Sequence, residues 1–90
     1  MNIFNCVIID EEGDENLNKP AVCRFTQVAF NLKDVTCFYC VTLETEKGDI
    51  ECLTVSTSTD TFTIIENFNV FYMMVEQAQK GNYFVNLNQN

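Results

Sequence analysis

Ninety residues, 47 % of them apolar, are enough for one hydrophobic core and too few for two, so residues 1–90 read as a single domain. Thirteen acids against five bases give a net charge of −8, which repels DNA, RNA and anionic membranes and suits basic protein surfaces. There is no histidine, which removes Ser-His and Cys-His pairs and imidazole metal ligands together.

The first elements follow from apolar spacing. Ile3 to Ile9 is apolar on both strand faces, which predicts a central strand. Asp10 to Pro20 is polar, with Gly13 and Pro20, and reads as a loop. Ala21 to Leu32 fits either period. Strand is favoured because a hairpin with the first strand needs no crossover. Val35 to Thr45 alternates cleanly, with Val35, Cys37, Tyr39, Val41 and Leu43 on one face.

Glu46-Lys47-Gly48 predicts a three-residue turn with a bulge at Gly48, and a fourth strand then runs from about Ile50 to Ser56. That register sets Val41 and Leu43 on the face of Leu53 and Val55. It also places Cys40 and Cys52 diagonally on a shared face. Asp60 is the expected N-cap of a helix from Thr61 to about Lys80, with Gly81 as its stop. Tyr83 to Leu87 is the expected last strand. The fold class is therefore α+β: an antiparallel sheet of four or five strands, in the order ββββαβ, with one long C-terminal helix packed on one face.

The acids are concentrated. Asp10, Glu11, Glu12, Asp14 and Glu15 lie in the first loop, and Glu44, Glu46, Asp49 and Glu51 flank the third turn, nine of the thirteen. In an up-and-down meander these two loops share one end of the sheet. Nine carboxylates there would imitate the charge density of a nucleic acid and suit a basic cleft. The competing reading is a solvated surface that keeps the chain soluble. Calcium fits poorly, because with Asp10 as the first position Gly13 falls fourth rather than sixth and no glutamate falls twelfth.

Cys37 and Cys40 form a CxxC inside the best strand. Positions i and i+3 of a strand point to opposite faces, so neither a zinc nor a thioredoxin-type site is expected. All five cysteines read as small apolar side chains. No metal, cofactor or catalytic residue is expected, since no phosphate-binding loop or nucleophile elbow accompanies the missing histidine.

On the expected helix, Ile64, Ile65, Phe68, Phe71, Tyr72, Val75 and Ala78 form a core stripe. Phe62, Val70, Met73 and Met74 form a second apolar ridge. It is either covered within the chain or an interface, for a homodimer or for a partner protein.

The odd cysteine count, the absence of a signal-peptide pattern at Met1-Asn2-Ile3-Phe4-Asn5 and the short apolar run from Val70 to Val75 point to the cytoplasm, a host's if the source is viral. The many asparagines suit an AT-rich phage or bacterial genome. Four strands and a helix are similar in shape to Whirly-type single-strand binders, with Phe25, Phe38 and Tyr39 as candidate stacking groups, but five scattered bases make a poor nucleic-acid groove. The leading expectation is a non-catalytic, acidic protein-binding domain. In character it resembles the antagonists with which phages and mobile elements block host nucleases or defence complexes such as CRISPR. The alternative is a structural or regulatory homo-oligomer joined through its helix.

Overall fold

The computed structural model describes residues 1–88, with side-chain surroundings for residues 1–80. It is α+β. Strands β1 (Asn2–Glu11), β2 (Val22–Phe30), β3 (Val35–Thr45), β4 (Gly48–Thr57) and β5 (Thr61–Ile64) precede one helix, α1 (Phe68–Asn88), and a single 3-10 turn, Leu32–Asp34, joins β2 to β3.

The sheet is not an up-and-down meander. Its strand order is β2-β1-β5-β4-β3, two hairpins joined by the short β5. β5 pairs along β4 from Leu53↔Ile64 to Ser56↔Thr61 and meets β1 at Cys6↔Ile64. β1 is therefore interior, as its two apolar faces predict. β2 and β3 are the two edges.

Three local expectations are corrected. Thr61–Ile64 is a strand, not the first turn of the helix. β-branched Thr61, Thr63 and Ile64 favour extended backbone, and the facing edges of β4 and β1 both take hydrogen bonds from this segment. Asp60 instead closes a turn in which its carbonyl accepts from the Thr57 amide at 2.8 Å. The helix N-cap is Asn67, whose Oδ1 accepts from the amides of Asn69 (2.9 Å) and Val70 (3.1 Å). At the other end the backbone stays helical through Gly81 to Asn88, so Tyr83 to Leu87 is not a strand. A glycine weakens a helix by about 1 kcal/mol relative to alanine and need not end it.

The β3–β4 register is also one residue off the expectation. The loop is the pair Glu46-Lys47, closed by Thr45↔Gly48, and Gly48 takes φ +102°. Thr45 Oγ1 ties the turn, donating to the Gly48 carbonyl at 2.8 Å and accepting from the Lys47 amide at 3.1 Å. Val41 consequently lies opposite Cys52, and Cys40 opposite Leu53, so Cys40 and Cys52 are on opposite faces.

This register splits the core in two. Phe4, Phe30, Leu53, Val55 and Ile64 pack under Phe71 and Val75 of α1 on one face of the sheet. Val7, Cys23 and Cys52 form a second cluster on the other face, flanked by Ile9, Val41, Leu43 and Ile50. Leu53 and Cys52 are neighbours on β4, both buried, and belong to different clusters. No helix among the described residues is long and apolar enough to cross a membrane.

Candidate protein-interaction site

The two acidic stretches do lie side by side, although not through a meander. Ala21, at the entry to β2, forms a parallel bridge with Thr45 at the end of β3. Its amide donates to the Glu44 carbonyl at 3.1 Å, and its carbonyl accepts from the Glu46 amide at 2.9 Å. The sheet is thereby drawn closed at this end, and the first loop is held against the β3–β4 turn.

Side chains of the turn reinforce the closure. Glu46 Oε2 accepts from the Cys23 amide at 3.1 Å, and Lys47 Nζ donates to the Cys23 carbonyl at 3.0 Å. The same ammonium stands 4.7 Å from the centre of the Phe25 ring. The first loop is itself a small hairpin, with Asp14 and Lys19 exchanging backbone hydrogen bonds of 2.8 Å.

The nine acids divide by what they touch. Asp10 pairs with Arg24 at 3.0 Å, and Glu11 with Lys19 at 4.0 Å. The Asp14 carboxylate accepts from the Asn16 amide at 3.0 Å, and Glu46 is engaged with β2. Glu12, Glu15, Glu44, Asp49 and Glu51 are exposed and have no ion pair or hydrogen bond from their carboxylates among the described residues. Glu44 and Asp49 stand directly opposite each other across the hairpin. An open cleft of about 590 Å³ between the first loop and β3 is lined by three acids, Asp14, Glu15 and Glu44, and one base, Lys19. Three of the five bases, Lys19, Arg24 and Lys47, occupy this same end, so it is a strongly acidic surface rather than a bare run of carboxylates.

The helix ridge is rearranged. Phe62 lies on β5, not on the helix, partly buried and stacked on Phe30 with ring centres 5.2 Å apart. Met74 packs against the aromatic core with Phe71, Val75 and Ala78. Val70 (49 % exposed) and Met73 (61 %) remain outside, joined by Tyr72 and Phe68, which the sequence pattern assigns to the core stripe. Ile65, likewise assigned there, precedes the helix and is exposed. Phe68 and Tyr72 stand beside Phe38, with ring centres 5.2 and 6.5 Å from it, and border an apolar cleft of about 440 Å³ between α1 and β3.

Cys37 and Cys40 are exposed and, paired with Ser56 and Leu53 in unbroken register, point to opposite faces. Among the described residues no three Cys, Asp or Glu side chains converge as metal ligands. Of the aromatics, Phe25 and Tyr39 are about half exposed, whereas Phe38 is turned to the helix.

The parts played by Ala21 and Lys47 could not be read from spacing. They depend on which strands are edges, and strand order is a property of the whole sheet. No protein-family model matches the chain, and comparisons with curated proteins and with solved structures find no match either.

Proposed function

We propose that this chain is a non-catalytic protein-binding module whose acidic end occupies a basic, nucleic-acid-binding surface of a partner, as a phage- or mobile-element inhibitor of a host nuclease or defence complex would. The observation behind this reading is the bridge between Ala21 and Thr45, which brings residues 10–15 and 44–51 to one end of the sheet. Closely spaced carboxylates there raise the local negative potential, speed encounter with a basic cleft and compete with phosphates for it. Cytoplasmic action within a host belongs to the same proposal.

The test is the triple variant Glu12→Lys, Glu15→Lys, Glu44→Lys, which reverses unpaired charges and leaves Glu46 in place. Purified nucleases and CRISPR effector complexes are the probes, assayed for loss of DNA binding across a salt series. Inhibition by the native chain that weakens with salt and falls about tenfold or more in the variant is expected, a change of roughly 1.4 kcal/mol. Equal inhibition by the two chains at low salt refutes the charge-led role.

A second reading, self-association through the helix, has its own support in the exposed Phe68, Val70, Tyr72 and Met73. Sedimentation of Val70→Glu/Met73→Glu against the native chain decides it. A native dimer that the variant converts to a folded monomer favours the oligomer.

A further inference from the structure

The two edges of the sheet are finished differently. At β2 the outward amide and carbonyl of Cys23 are taken by Glu46 and Lys47, and Ala21 is taken by β3 itself. At β3 the contacts with Ala21 show that the main-chain groups of Glu44 and Glu46 face away from β4. The alternation of an antiparallel ladder carries this outward direction to Thr42, Cys40 and Phe38. Their N–H and C=O groups meet no protein partner among the described residues.

Among the described residues nothing blunts this edge over its middle. From Val35 to Leu43 it holds no charge and no proline, the usual protections of an exposed strand, and its one bulge lies at the start, between Val35 and Cys37. A cleft stands at each end of the unpaired stretch. Beyond Phe38 lies the apolar one, with Phe68 and Tyr72, and beside Thr42 the acidic one, where Asp14, Glu15 and Glu44 outnumber Lys19.

We infer that β3 is a strand-addition site for an extended segment of a partner protein, which pairs with Phe38, Cys40 and Thr42 and places an apolar side chain in the helix cleft and a basic one in the acidic cleft. Phe38 and Thr42 are four residues apart, about 13 Å along a strand. The two anchors therefore fall four positions apart and on one face of the added strand. Charge complementarity selects the occupant. A second copy of β3 offers no base between Val35 and Glu44 and brings a further net charge of −8. The inference rests on the proposed protein-binding role only in its choice of a basic anchor; the backbone edge stands apart from it.

The test uses the full chain and a blocked hexapeptide with leucine first, lysine fifth and threonine or valine between, made also in the reverse order. NMR titration is expected to shift the amides of Phe38, Cys40 and Thr42 and to slow their hydrogen exchange for one of the two orders. N-methylation of the peptide's pairing amides is expected to weaken binding about tenfold or more, as is Cys40→Pro, whose lost amide faces outward and not toward β4. The methylated peptide reads the edge without altering the protein. Replacing lysine by norleucine reads the acidic anchor separately: weaker, salt-insensitive binding supports it, and unchanged affinity overturns that anchor alone. Failure of both peptide orders to bind, or binding indifferent to methylation, overturns the site. Sedimentation that shows the free chain dimerising through the same amides overturns the choice of occupant.

Discussion

The two ends of the sheet are held by different means. At one end α1 covers an aromatic cluster in which Phe71, Leu53, Val55 and Ile64 are completely buried and Phe71 touches Phe4, Phe30 and Phe38 at centroid separations of 5.4, 6.4 and 5.0 Å. At the other end no helix among the described residues covers the sheet. The opposite face of the sheet closes over the smaller side chains Val7, Cys23 and Cys52, and hydrogen bonds from Ala21, Glu46 and Lys47 hold the closure. A short chain has one helix and two sheet faces to cover, and a twisted sheet lets it cover each face at a different end. The closure that buries the second cluster is also what assembles the acidic surface, so stability and the proposed function meet at that end.

The largest effect is expected at the helix end. Phe71→Ala removes the ring around which the aromatic cluster packs and leaves a cavity on rigid strands, at a cost of about 3–5 kcal/mol. That is a large part of the roughly 5–15 kcal/mol that holds a domain of this kind together. Urea unfolding followed by far-ultraviolet circular dichroism checks it. A loss under about 1 kcal/mol, on the same scale, would mean that α1 contributes little and that the sheet stands without it.

These same elements show where sequence reasoning succeeds. β3 and β4 announce themselves by alternation and β-branching, β1 by a run that is apolar on both faces, and the acids of the two loops by simple proximity in the chain. The helix starts later than its spacing predicts, for a physical reason. Ile64, Ile65, Phe68 and Phe71 continue a helical spacing through a segment that is extended, because the edges of β4 and β1 need a strand between them. Counting Ile64 and Ile65 as helical turns the expected buried face toward Phe68 and Tyr72 and away from Met74. Asp60 and Asn67 are both sound caps by chemistry, and only tertiary pairing selects the second. The acidic loops are neighbours, as a meander predicts, but through a different topology. A meander and a sheet closed through Ala21 both bring the first and third connections to one end.

A smaller effect is expected at the closed end. Glu46→Ala deprives the Cys23 amide of its carboxylate partner, at a site partly open to water, so the global cost is about 1 kcal/mol. The sharper readout is local. Hydrogen exchange at Ala21 and Cys23 should quicken while the amides of β4 around Val55 keep their protection, because the two clusters lie on opposite faces. Equal acceleration at both would show one cooperative unit and erase the distinction between the ends.

The smallest effect concerns the thiol chemistry of the closed end. Burial, and then the neighbouring Cys23 thiol, push the Cys52 pKa above its ordinary value. The native state therefore keeps a proton that the unfolded chain releases in alkaline solution. This contribution to stability is complete below the unfolded thiol value, about 8.5, and is lost as pH rises through the native one. Urea midpoints should fall over that range in the native chain and fall less in Cys52→Ala. Alkylation followed by mass spectrometry gives the kinetic counterpart. Cys37 and Cys40, both exposed, should react first, and Cys52 only as the closed end opens. Labelling of Cys52 at the rate of Cys40 would place it in solvent, and the second cluster could not then be a core.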